Sequence, residues 1–351
     1  MIKLLRMDFR TKKSLFSLLA ICGLSAAALV AGCGDEPTVQ TATEKTQSST
    51  VSAYRRQQIS FFKGIDEPSS DEWEEMANKD ERLKHDGFNI VTLSPPVLIT
   101  ERAGGQPRVI LEGVAGSVTG TIDELHLGGL AVFVSPTTEV AGFDPRLDAS
   151  EATLRQLTED TLQWAATAEE KQAELFSPLT EYNLVLGTDA ANKWSMEILP
   201  QIREKYRGEL VARVVPDINT TVGSAGAVHD FELLDFRGYD YLMLDIEPHG
   251  ESFDPARFDM AVDELIKRAN AVARRDGLKG VLVEFGAWRE AVGVEPFDGP
   301  ELGEGGQAIL AERMIHVSLR QTKGIFWLGW TLPGRGALDH MVEASLRLGW
   351  Q

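Results

Sequence analysis

Two kinds of apolar pattern alternate along this chain. Short, almost wholly apolar runs lie at Gln58–Gly64, Phe88–Leu93, Leu130–Val134, Leu175–Leu179, Leu210–Val215, Tyr239–Ile246, Gly280–Phe285 and Gly324–Trp330, and they predict eight buried strands. Between them are stretches whose apolar residues recur every three or four positions. Ser150 is placed to cap one that carries Leu154, Leu157, Leu162, Trp164 and Ala168, and Pro255 opens another with Phe258, Val262, Leu265, Ile266 and Ala269 on one side. Further helical patterns cover Trp73–His85, the region from Trp194 to Tyr206, Ile309–Leu319 and Ala337–Leu346, with weak ones at Ile122–His126 and Phe231–Asp235.

Strands buried on both faces and alternating with amphipathic helices require a parallel sheet covered by helices. Eight such units predict a single-domain α/β protein, a (β/α)8 TIM barrel. Val97–Thr100 and Arg108–Leu111, around Ala103-Gly104-Gly105-Gln106, predict a β-hairpin inserted after the second strand. A doubly wound sheet is the rival, but no Gly-rich phosphate fingerprint follows the first strand.

The beginning of the chain reads differently. Lys3, Arg6, Arg10, Lys12 and Lys13 precede an apolar run from Leu15 to Val30, and Ala31-Gly32-Cys33 follows. This predicts a signal peptide over residues 1–32. Val30-Ala31-Gly32-Cys33 resembles the bacterial lipobox, which implies lipidation of Cys33 and anchorage in the cell envelope. Gly34 in second place, where an inner-membrane retention signal has Asp, favours the outer membrane or cell surface. A Thr-, Ser- and Gln-rich tether over 33–55 precedes the barrel domain at 56–351.

Of 351 residues, 43% are hydrophobic and 25% charged, as in a soluble globular domain. Removing the leader's five basic residues and one acidic residue takes the net charge from −18 to −22, which argues against nucleic acid as a partner. The second cysteine, Cys22, leaves with the leader, so the mature chain has no disulfide and no cysteine metal site.

In a (β/α)8 barrel the C-terminal strand ends share one rim. Here that rim collects Asp66 and Glu67, then Thr180, Glu181, Tyr182 and Asn183, then Asp245, Glu247 and His249, then Glu284 and Trp288, and finally Trp327 and Trp330. Carboxyls with indoles suit a carbohydrate, since two carboxyls can flank a glycosidic bond while rings stack on the sugar. Taken alone, Glu181 could cap the following helix and Glu284 could neutralise Arg289. Asp245, Glu247 and His249 lie two apart and could bind a divalent cation, although a hydrogen-bonded rim cluster fits them better. Trp288 suits a sugar contact or a loop anchor equally.

Glu ending the fourth strand, in Phe176-Ser177-Pro178-Leu179-Thr180-Glu181, Glu ending the seventh, a Trp-rich eighth and a Lys63-Gly64-Ile65 start resemble the retaining glycoside hydrolases of the GH-A clan. The nearest branch is the GH113-like, endo-β-mannanase type. The resemblance implies Glu181 as general acid/base and Glu284 as nucleophile, with a β-linked glycan as substrate. Substrate-binding candidates are Trp330, Trp327, Asp245, Glu247, Trp288, Tyr182 and Thr180. It implies no cofactor and no metal, and a monomer is expected. Two departures stand out: Thr180 replaces the usual Asn before the acid, and Asp245-Ile246-Glu247 stands where a Tyr would orient the nucleophile. A catalytically silent barrel that binds glycans or an envelope partner is the alternative, with a metal-dependent hydrolase using Asp245, Glu247 and His249 behind it.

Overall fold

A computed structural model describes residues 54–67, 73–97, 108–138, 149–216, 231–246, 254–286, 302–329, 337 and 341–350. Eight parallel strands close into a barrel: β1 (Phe62–Glu67), β2 (Ile90–Leu93), β3 (Ala131–Val134), β4 (Leu175–Phe176), β5 (Glu209–Val214), β6 (Tyr241–Ile246), β7 (Gly280–Phe285) and β8 (Gly324–Leu328). Each strand pairs with its neighbours in sequence, and β1 closes the ring against β8. The (β/α)8 expectation is met.

Around the barrel lie α1 (Trp73–Ala77), α2 (Asp80–His85), α3 (Arg108–Leu127), α4 (Glu151–Glu170), α5 (Tyr182–Leu186), α6 (Thr188–Lys205), α7 (Pro255–Asp276), α8 (Gly303–Ser318) and α9 (Met341–Gly349). No helix among the described residues is long and apolar enough to cross a membrane. Two helix starts follow the sequence closely. Ser150 Oγ accepts from the Thr153 N–H, and Asp254 caps the Pro255 helix by accepting from the Ala256 and Arg257 N–H groups. Only a 3-10 turn, Phe231–Leu233, precedes β6.

The hairpin expected after the second strand is not what Arg108–Leu111 forms. Those residues are the first turn of α3, a 20-residue helix. Their β-branched run suggested a strand, but α3 packs against α1 and β3, and that tertiary setting decides. Pro96–Val97 pairs instead with Thr137–Thr138 in a separate two-stranded ladder. Residues 98–107 lie outside the described residues. The first strand also begins later than expected, at Phe62.

Alternation along each strand divides the core in two. Phe62, Ile90, Phe133, Leu175, Val211, Met243, Leu282 and Phe326 fill the barrel interior, whereas Ile65, Val91, Val132, Phe176, Ala212, Leu242, Val283 and Ile325 pack outward under the helices. Gly64 belongs to the inner set because Phe326 occupies its side-chain space. A Cβ there would lie 1.9 Å from the Phe326 ring. The inner apolar layers end at Met243 and Leu282; one step further, Asp245 and Glu284 take over.

The opposite end is closed by Glu174, just before β4. Its carboxylate accepts from Tyr54 Oη (2.5 Å), the Gln57 N–H (3.0 Å) and the Val132 N–H (2.8 Å), and it meets His126 Nε2 (3.3 Å). Burial raises the Glu174 pKa, but these hydrogen bonds outweigh it and hold the carboxyl below its usual range. Tyr54 stacks on His126 with ring centroids 3.6 Å apart, so the end of the tether expected over 33–55 is already docked.

A second buried polar cluster joins α2 to α9. Arg82 makes a two-pronged bond to Glu343, 2.9 and 2.7 Å, and Asp86 is buried beside them. Burial, then the neighbouring Glu343 carboxyl, pushes the Asp86 pKa up to about 7. The folded state therefore favours a protonated Asp86, and stability is lost as pH rises from the unfolded value towards about 7. Asp86→Asn should unfold at a higher Tm than the native chain at pH 8, with the difference vanishing near pH 4; thermal denaturation across that range checks the sign.

Candidate active site

Continuing the inward alternation by one step places Asp66 on β1, Arg213 on β5, Asp245 on β6 and Glu284 on β7 inside the C-terminal end of the barrel. The Arg213 guanidinium is their common partner. Its Nε donates to Asp245 Oδ2 (2.7 Å), Nη1 to Asp66 Oδ2 (2.7 Å) and Nη2 to Glu284 Oε1 (2.5 Å). Ser94 donates to Asp66 (3.2 Å) from beyond β2. Arg213 and its three carboxylates are all buried.

Charge balance is the main property of this cluster. One guanidinium cancels one of three carboxylates, and like charges about 4 Å apart repel by ~4 kcal/mol even at an effective dielectric constant near 20. Burial lowers the Arg213 pKa, but Asp245, Glu284 and Asp66 together outweigh it and keep the guanidinium charged. Burial raises Glu284 well above the carboxylate range; Arg213 opposes this, while Asp66 and Asp245 reinforce it. A buried ion cluster of this kind stabilises a fold poorly compared with apolar packing, which points to function.

Glu181 occupies a different setting. Regular pairing of β4 stops at Phe176, Pro178 interrupts the run, and the chain turns so that the Thr180 N–H donates to the Pro136 carbonyl (2.7 Å). Glu181 is therefore not a strand end. It precedes α5 in a left-handed conformation, φ 52° and ψ 38°, and is half-buried. A non-glycine residue held there is strained, and such strain concentrates at functional positions. Thr180 Oγ1 lies 2.8 Å from Ser135 Oγ, and Ser135 Oγ accepts from Arg213 Nη1 at 3.3 Å. A hydrogen-bonded run thus leads from Glu284 through Arg213 and Ser135 to the residue before Glu181.

The other sequence candidates divide. Asp245 joins the cluster as an Arg213 partner, and Thr180 contributes its hydroxyl to the run. Tyr182, expected to touch substrate, is fully buried, its ring 6.5 Å from that of Trp194 on α6, so it is a packing residue. Trp327 is also corrected: it alternates with the inward Phe326, lies in the outer apolar layer and is 1% exposed. Trp330, Trp288, Glu247, His249 and Cys33 lie outside the described residues. Among the described residues, no group of three or more His, Cys, Asp and Glu could hold a metal ion.

Arg213 and Ser135 are what the sequence reading missed. The available signal was a lone Arg in the otherwise apolar Leu210–Val215 run, because a charge in a strand buried on both faces must have partners.

Known structures share this architecture. A GH113 β-1,4-mannanase superposes with a TM-score of 0.60 at 14% identity, over 84% of this chain and 99% of that one. The fold is that of the GH113 mannanases. The GH113 β-mannanase of Alicyclobacillus acidocaldarius, in complex with ManMIm, gives 0.56 at 17% identity, over 85% and 99% of the two chains. A GH5-4 broad-specificity endoglucanase from Clostridium longisporum gives 0.54 at 13%, over 78% and 85%. No protein-family model and no curated protein matches the sequence. The expected likeness to the GH113-type barrel is thus met at the level of fold.

The strain at Glu181 yields a test. Glycine adopts the left-handed region without penalty, whereas alanine does not. Glu181→Gly should therefore be more stable than Glu181→Ala by about 1 kcal/mol, measured by chemical denaturation. Equal stabilities would remove the strain argument.

Proposed function

We propose that this chain is a retaining glycoside hydrolase acting on a β-linked glycan, with Glu284 as nucleophile and Glu181 as general acid/base. The observation carrying the proposal is the inward placement of Glu284 on Arg213, joined by the Ser135–Thr180 run to a strained Glu181 at the start of α5. In the first step protonated Glu181 donates to the leaving oxygen while ionised Glu284 attacks the anomeric carbon, forming a glycosyl ester. In the second, Glu181 takes a proton from water, which displaces Glu284. This chemistry needs carboxyls about 5 to 5.5 Å apart. The mannanase fold makes β-1,4-mannan the first substrate to try. No cofactor enters the scheme.

The leader and the Val30–Cys33 sequence support a lipoprotein, anchored through Cys33 and facing the envelope or the cell exterior. Metabolic labelling with a fatty-acid analogue, lost in Cys33→Ser, tests the anchor.

One observation favours a second reading, a barrel that binds glycans without cleaving them. Burial favours the protonated form of Glu284, and a protonated carboxyl does not attack. The two readings separate in a single experiment. Incubation with 2,4-dinitrophenyl 2-deoxy-2-fluoro-β-mannoside and its gluco counterpart should esterify Glu284, identified by peptide mass. Glu284→Ala should lose turnover, and azide should restore it with inversion of the product. Manno-oligosaccharide binding by calorimetry, with no labelling and no hydrolysis across β-linked glycans, would establish the silent barrel instead.

A further inference from the structure

We propose that Asp66 is the proton-holding partner of Glu284: the two carboxyls share one proton above the Arg213 guanidinium, and Asp66 keeps it when Glu284 becomes the nucleophile. This rests on the assignment of Glu284 given above and adds a residue and a proton path to it.

The geometry comes first. Arg213 touches Asp66, Asp245 and Glu284 at once, so its single charge is divided among three carboxyls. Glu284 Oε1 takes the Nη2 bond, while Oε2 is buried and accepts no hydrogen bond. A buried carboxylate oxygen in that position is destabilised unless it carries a proton. Asp66 and Glu284 accept from the two terminal nitrogens of one guanidinium, Nη1 and Nη2, which sets the two carboxyls side by side, and a hydrogen bond from Glu284 to Asp66 is among the causes that raise the Glu284 pKa. On the other side, Ser94 Oγ donates to Asp66, and a hydroxyl can turn from donor to acceptor as the Asp66 carboxyl gains a proton.

The groups facing Glu284 from the packed elements fit this arrangement. β1 supplies Asp66, β5 supplies Arg213 and β6 supplies Asp245, whose register partner is Glu284 itself. From β8 the register partner is Phe326, which carries no charge. The step balances within the pair. The O–H bond of Glu284 breaks, an O–H bond forms on Asp66, and the net charge of Asp66, Asp245, Glu284 and Arg213 stays at −1 throughout. Glu284 thereby becomes an anion without any proton leaving the buried cluster, and the same transfer in reverse follows release of the glycosyl ester. Asp66 acts through Glu284 and is a positioning residue for the proton.

The test does not depend on turnover. With 13C at glutamate carboxyl carbons, the Glu284 resonance is the one that disappears in Glu284→Gln. In the native chain it should remain protonated well above the ordinary carboxylate range. In Asp66→Asn, which cannot take up the proton, its midpoint should fall by at least about one pH unit, a tenfold change in ionisation. Asp245→Asn, which removes an equal charge from the register neighbour of Glu284 and leaves Asp66 in place to take the proton, should produce a smaller fall. A Glu284 already ionised at pH 5 in the native chain, or a shift in Asp245→Asn as large as that in Asp66→Asn, overturns the shared proton. If Asp66→Asn fails to fold, Ser94→Ala provides the second variant: losing a donor to ionised Asp66 should move the Glu284 midpoint, and an unchanged midpoint counts against the proposal. Once a cleaved glycoside is in hand, the acid limb of kcat/KM should follow the same shift, with kcat affected more than KM. A native protein that shows the shared proton but esterifies no fluoroglycoside loses the hydrolase reading and retains the proton pair.

Discussion

One guanidinium serving three carboxylates inside a closed ring of strands is the constraint on which the upper half of this barrel depends. The fork of Arg213 is planar and rigid, so its three contacts fix the relative positions of side chains from four strands. Without that cation, Asp66, Asp245 and Glu284 would face one another across a space from which solvent is largely excluded. The apolar layers beneath, with Phe326 over Gly64, leave the cluster no room to sink, and the closed hydrogen-bonded ring leaves it no lateral exit. The arrangement is poor as a source of stability and well suited to controlling the protonation of one carboxyl.

The short β4 belongs to the same design. Two residues of regular pairing are followed by Pro178 and a turn that returns the Thr180 N–H to Pro136, beside β3. That turn brings the Thr180 hydroxyl onto Ser135 and leaves Glu181 in a conformation that L-residues avoid. A regular strand continuing to residue 181 would have kept its pairing and relieved the strain, but it would also have separated Thr180 from the Arg213 network. The backbone penalty at Glu181 and the polar contact at Thr180 are two sides of one turn.

Much of this was visible in the residues, and the failures have physical causes. The eight apolar runs, the Ser150 cap and the Pro255 start are local signals that tertiary packing did not override. Arg108–Leu111 misled because β-branched residues favour strands only where a sheet is there to receive them, and here α1 and β3 receive a helix. Trp327 misled for another reason. In a run as uniformly apolar as Ile325-Phe326-Trp327-Leu328, composition does not say which alternate residues face inward, and a shift of one reverses every assignment. Glu284 was legible because a lone acid in an apolar strand stands out; Arg213 carried the same signal in β5, but its meaning came only from the partners the fold gathers around it.

The floor of the barrel has a consequence of its own. Glu174 binds Tyr54 and the Gln57 backbone at the pole opposite the carboxyl cluster, so the polypeptide enters the domain from behind. Changes to the residues that arrive at that pole therefore leave the Arg213 cluster untouched, because the whole apolar interior of the barrel lies between them.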